Sequence, residues 1–159
     1  MFKNVKPQLY LQFKNWKSDL LLGSGIGIAF VILNVLTGIV IGIPTQPQSF
    51  FGKFVVVGGI APLFEEVFFR GALLFILTVL PLALIPIILI NGAGFSAFHW
   101  FVYGQSLAAT NGSFVGALIF GMFATWITIQ RKSIIPAIIC HAIFNLWILY
   151  TYGFIIFAF

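Results

Sequence analysis

Five long apolar stretches, divided by short polar interruptions, make up most of the chain. They run from about Leu20 to Ile43, Phe54 to Leu80, Leu82 to Val102, Ser113 to Gln130 and Ile135 to Phe159. The interruptions are "PTQPQSFFGK", a break at Pro81, "YGQSLAATNG" and "RKS", which supply the turn formers and polar groups suited to a membrane surface. Crossing the hydrocarbon as a helix takes about 20 apolar residues, so each stretch is long enough to span or nearly span it. The pattern predicts an all-α, polytopic transmembrane helical bundle of about five membrane helices. Residues 20–159 form a single membrane domain in this scheme, preceded by a flank over residues 1–19. The first stretch is about twice the length of a signal-peptide core and has no small-residue cleavage site, so it is predicted to stay as a membrane helix.

Composition sharpens the class. Of 159 residues, 61% are hydrophobic and 7% charged, a balance that fits a lipid-embedded chain rather than a water-soluble one. The net charge of +5 does not mark a nucleic-acid surface, because Lys3, Lys6, Lys14 and Lys17 all precede the first apolar run beside Phe13 and Trp16. That arrangement suits the headgroups of a lipid bilayer. In a five-crossing scheme these lysines lie on one side with Arg131 and Lys132, leaving Lys53 opposite, which predicts a cytoplasmic N-terminus in the cell membrane. Cys140 is a single cysteine in an apolar run and is assigned to packing. Gly23 with Gly27, and Gly38 with Gly42, offer small residues four apart for helix contact, though ordinary glycine usage in membrane helices gives the same pairs.

Against this background "PLFEEVFFRG" stands out. The chain has three acidic residues, and two of them, Glu65 and Glu66, are neighbours inside the second apolar stretch, with Arg70 close behind. An ionisable side chain at mid-bilayer costs about 2.5–3.5 kcal/mol on insertion scales, so three together require compensation. Glu66 and Arg70, four apart, share a helical face and are predicted to pair. Glu65 points about 140° from Arg70 in an ideal helix and needs a partner elsewhere. Candidates are His99 in "FSAFHW" and His141 with Asn145 in "CHAIFN", the last two again four apart. Singly, each has a plain explanation: a Glu–Arg clamp, a hydrogen-bonded packing histidine, an asparagine joining two helices. Jointly, both histidines, both membrane glutamates and an asparagine on three helices point to one buried polar site.

"EEVFFR", "FSAFH" and "HAIFN" fit, in order, the E-E-x-x-x-R, F-x-x-x-H and H-x-x-x-N motifs, and on these residues the chain resembles the CAAX protease and bacteriocin-processing (CPBP, or Abi) intramembrane proteases. "APLFEEVFFRGALL" and "SIIPAIICHAIFNL" are similar to the family's flanks, and the likeness extends from about Ile60 to Leu149, outside the first helix. The resemblance implies an intramembrane endopeptidase acting on a protein or peptide, prenylated substrates included. It implies that Glu65 activates water with help from His99, that His141 and Asn145 donate to the oxyanion, and that Glu66 and Arg70 orient the base.

Such chemistry has its own requirements: a water, a base to deprotonate it, and donors for the tetrahedral oxyanion. An ionised carboxylate that is poorly solvated is a stronger base than one in water, which suits Glu65. The same residues offer an alternative, a zinc ion on Glu65, His99 and His141, since Glu and His are ordinary zinc ligands. No H-E-x-x-H occurs, so a metal-free glutamate mechanism with no cofactor is favoured. Two other classes compete with the protease: a proton-coupled transporter, because buried Glu, His and Arg also mark proton relays, and a non-catalytic immunity or scaffold protein. Taken as straight helices, His99 and His141 would differ in depth by about 10 Å, which a kink after Pro62 or a break at Gly92 and Gly94 would close.

Overall fold

The computed structural model describes residues 5–41, 55–103 and 107–152. These residues are helical apart from turns and isolated bridge positions, among them the antiparallel bridge of Leu11 to Ser133. Helix α1 spans Trp16–Ile41, α4 Leu84–Tyr103, α5 Leu107–Arg131 and α6 Ile135–Tyr152. The second apolar stretch is composite: a π-helical turn π1 (Val56–Ile60), α2 (Ala61–Glu66), a second π-helical stretch π2 (Val67–Leu73) and α3 (Leu74–Val79). Each of the five apolar stretches therefore forms one helical run. Within α1, α4 and α5, the segments Trp16–Val40, Leu84–Val102 and Phe114–Arg131 are long and apolar enough to cross a membrane; the apolar part of α6 is shorter. The chain divides into two compact units, Met1–Gln12 with Val67–Ile134, and Phe13–Glu66 with Ile135–Phe159.

In the unit containing α1, π1, α2 and α6, α1 starts at Trp16, about one turn before the apolar run. Asn15 O accepts from the Asp19 N–H and the Ser18 hydroxyl, and Asp19 sits in the first turn, where a negative charge complements the helix dipole. Helices α1 and α6 meet on the face of Gly23 and Gly27. A Cβ on Gly23 would stand 2.7 Å from Pro136 O, and one on Gly27 3.0 Å from Ile143 Cβ. Of the two glycine pairs, this one is therefore a helix contact; Gly42 lies outside the described residues. Further along the same seam Phe30 meets Phe144 edge-on, and Trp147 Nε1 donates to Asn34 Oδ1 at 3.0 Å.

Pro62 shapes the start of the second run. Proline lacks an N–H, and its ring crowds the carbonyl four residues earlier, here that of Gly58. Just before the proline the chain forms the wider π1 turn, in which the Ala61 N–H reaches back to Val56 O.

In the other unit, α3 ends at Pro81 as the sequence predicts: Leu80 is extended, with φ −73° and ψ 150°, the conformation that a following proline imposes. Helix α4 continues unbroken through Gly92 and Gly94, so no break occurs there. Gly92 serves instead as a crossing point, since a Cβ on Gly121 would lie 3.0 Å from Gly92 Cα and one on Gly92 2.9 Å from Met122 N. Helix α5 closes with Lys132 in the left-handed region, φ 56°, and the Ser133 N–H returning to Thr128 O. The N-terminal flank is anchored here: Tyr10 is fully buried and its carbonyl accepts from the Ile134 N–H at 2.9 Å.

Candidate active site

Glu65 and Glu66 close the short α2, between the two π-helical stretches, and both are buried, at 8% and 0% exposure. Across from them in the same unit, α6 presents His141, 3% exposed. His141 Nδ1 is 2.9 Å from Glu66 Oε1, and His141 Nε2 is 3.8 Å from Glu65 Oε2. One imidazole thus faces both glutamates, each through a different nitrogen. With Glu66 ionised, Nδ1–H is the donor, which fixes the ring and turns Nε2 toward Glu65. A separation of 3.8 Å exceeds a direct hydrogen bond and suits a small intervening species such as a water bound to both groups.

Asn145, one turn along α6 from His141, donates Nδ2–H to Val57 O at 3.2 Å. Val57 belongs to π1, where the backbone bonding changes from the α pattern and a carbonyl is in reach of an outside donor. The carboxamide nitrogen has a second hydrogen to give. Sequence spacing indicated that His141 and Asn145 share a face; it did not indicate that Asn145 would serve the backbone ahead of the glutamates.

Arg70, in π2, is fully buried in the other unit. Its Nη2 donates to Gly121 O at 3.2 Å, and its guanidinium lies 4.3 Å from the centroid of the Phe95 ring, with Phe69 and Phe120 at 5.8 and 5.7 Å. An aromatic cage is a favourable place for a desolvated cation. Glu66 thus meets His141 and Arg70 meets Gly121. His99 lies on α4, half-buried, with Nδ1 3.0 Å from Phe95 O and its ring 4.2 Å from that of Phe95. A carbonyl only accepts, so Nδ1 carries the hydrogen and Nε2 is the basic nitrogen of the neutral ring.

Among the buried polar residues that escaped the sequence reading are Asn91, Ser96 and Thr125. Ser96 Oγ donates to Phe114 O at 2.6 Å. Asn91 Nδ2 donates to Phe69 O at 2.8 Å, and its Oδ1 is 2.8 Å from Thr125 Oγ1. The available signal was the spacing of Asn91, Phe95 and His99, four residues apart in turn on α4 and so on one face.

For a metal, Glu65 and His141 are the candidate donors in their unit, an oxygen and a nitrogen whose chemistry fits zinc; His99, the third candidate from the sequence, offers Nε2. The donor set accepts a water equally well, so fit alone does not separate the two mechanisms.

A family model described as type II CAAX prenyl endopeptidase Rce1-like matches residues 47–147, well over half of the chain. No curated protein and no solved structure matches it.

Proposed function

The chain belongs to the type II CAAX prenyl endopeptidase Rce1-like family, which at family level makes it a CAAX-type intramembrane endopeptidase, and from that premise we propose that it hydrolyses a peptide bond with a water activated by Glu65. The observation that carries this reading is the placing of His141 between two buried glutamates, 2.9 Å from Glu66 and 3.8 Å from Glu65.

Glu65 takes a proton from the water as its oxygen attacks the scissile carbonyl carbon. The tetrahedral oxyanion is met by N–H donors, for which Asn145 has an unused amide hydrogen and His141 its Nε2 side when protonated. The C–N bond then breaks, and the proton held by Glu65 passes to the leaving amine. Glu66 keeps the His141 ring oriented, and His99, with its hydrogen on Nδ1 and Nε2 basic, takes the part of assisting the base that the family resemblance implies. Arg70 supports the helix that carries the glutamates. Held by Glu65, His141 and His99, a zinc ion would supply Lewis acidity and an acidified water; the absence of an H-E-x-x-H spacing favours the glutamate mechanism without it.

By its family, the substrate proposed is a protein or peptide with a prenylated C-terminal cysteine motif. The test is purified protein in lipid, offered matched peptides with and without the prenyl group, alongside Glu65→Gln. The parent should cleave the prenylated peptide, retain its activity in a strong chelator, and lose it by at least about 100-fold in Glu65→Gln, the scale of a removed general base. Loss of cleavage in the chelator, restored by zinc alone, would establish the metal mechanism, and normal cleavage by Glu65→Gln would remove Glu65 from the chemistry.

A further inference from the structure

A π-helical stretch bonds i to i+5, so where it interrupts an α-helix the carbonyls at the junction lose the regular i+4 donor. Inside a membrane such a carbonyl must be met by another group, since no bulk water reaches it. In π2 one carbonyl receives a donor from a different helix. Asn91 on α4, fully buried, donates Nδ2–H to Phe69 O at 2.8 Å. Because Phe69 O can only accept, the orientation of the carboxamide is fixed: Nδ2 toward Phe69 and Oδ1 toward Thr125. Thr125 Oγ1, buried on α5, lies 2.8 Å from that Oδ1 and 2.7 Å from Gly121 O, its single proton shared between the two acceptors. Gly121 O in turn accepts from Arg70 Nη2 at 3.2 Å.

These contacts form a closed circuit within one unit. It runs from Phe69 to Asn91, on to Thr125 and Gly121, and back to Arg70, the residue that follows Phe69. Both ends of the circuit therefore fix adjacent residues of π2, one through its backbone and one through its guanidinium. Phe95, one turn after Asn91 on α4, closes the arrangement with its ring 4.3 Å from the guanidinium.

We propose that Asn91 is a positioning residue of the peptidase, holding π2 open at the Phe69 carbonyl and thereby setting the place of Arg70. It touches neither substrate nor reacting atoms. The inference rests on the peptidase reading above for its consequence in cleavage, and on the geometry of this unit alone for the hook itself. The π1 turn has a similar device, with Asn145 on Val57 O, so in both π-helical stretches among the described residues an asparagine from another helix donates to a backbone carbonyl.

Asn91→Leu removes the donor and the acceptor while keeping the approximate volume, and Thr125→Val removes only the hydroxyl that orients the carboxamide. In Asn91→Leu, kcat should fall by about tenfold or more with KM within about twofold, the scale of one buried hydrogen bond lost from a set of positioning contacts. Thr125→Val should show a smaller fall of the same kind, and adding it to Asn91→Leu should cost nothing further, because the two act through one circuit. Independently of activity, backbone amides of residues 67–73 should exchange hydrogen about tenfold faster in Asn91→Leu, with α1 unaffected. Should Asn91→Leu not fold, Thr125→Val carries both measurements. Cleavage within twofold of the parent in the folded variants, additive losses in the double variant, or unchanged exchange over 67–73 would each overturn the proposal. A parent that cleaves nothing, with faster exchange in Asn91→Leu, would reject the peptidase reading while upholding the hook.

Discussion

Glu65 and Glu66 are neighbours in the chain, yet His141 distinguishes them: it is hydrogen-bonded to Glu66 and stands off from Glu65. Different consequences of substitution follow. Removing the Glu66 acceptor with Glu66→Leu leaves a buried Nδ1–H without its partner, a loss that costs about 1–3 kcal/mol. Stability and cleavage should then fall together. Glu65→Gln keeps shape and volume and should unfold like the parent while failing to cleave. Thermal unfolding in detergent, run beside the peptide assay, reads both; a Glu66→Leu variant as stable as the parent would show that this hydrogen bond does not hold α6 to α2. The charged residues were legible in the sequence because a carboxylate in an apolar stretch needs a reason to be there. Asn91 and Thr125 were not, because an uncharged polar residue in a membrane helix is common enough to pass unnoticed. The contact of His141 with Glu66 was also hidden, because spacing along one helix says nothing of a residue 75 positions away in sequence.

At the scale of helices, hydropathy located five runs, with Pro81 as a true break, but α5 begins at Leu107, so much of the polar interruption read before Ser113 is helical. It did not give π1 and π2, because apolar side chains line both faces of the second run and leave no periodicity from which a change of phase might be read. Pro62 pointed to irregularity, and the turn just before the proline is widened. Close helix approach, by contrast, follows directly from Gly23 and Gly27. Gly23→Leu would drive a side chain into Pro136 O, 2.7 Å from its Cβ, whereas Gly25 has nothing within 4 Å. Overpacking of a tight contact costs about 1–3 kcal/mol, so Gly23→Leu should unfold at lower temperature in detergent and Gly25→Leu should not. Equal behaviour of the two variants would mean that α1 does not pack on α6 through this face.

For the molecule as a whole, the remaining question is which way it lies in the bilayer. Five crossings, the number proposed from the sequence, would put the two ends of the chain on opposite faces. In that scheme charge would supply the direction, with Lys3, Lys6, Lys14 and Lys17 beside Arg131 and Lys132 on the cytoplasmic side against Lys53 on the other. Geometry adds a link that the charge count lacks. Tyr10 O accepts from the Ile134 N–H, and Leu11 bridges to Ser133, so the basic flank lies beside the turn that carries Arg131 and Lys132. Two stretches far apart in sequence, both basic, are thereby held at one end of their unit, where the anionic cytoplasmic leaflet would attract both. A membrane-impermeant maleimide should therefore label Lys6→Cys and Lys132→Cys from the same, cytoplasmic side, and Lys53→Cys from the other. A reporter fused after Phe159 should lie opposite the N-terminus. Native Cys140 is buried and gives the background for the labelling. Labelling of Lys6→Cys and Lys132→Cys from different sides would contradict the bridge at Ser133. A reporter on the same side as the N-terminus would mean that one of the five runs does not cross, and the first to suspect would be the second, which is interrupted twice by π-helix and carries the two glutamates.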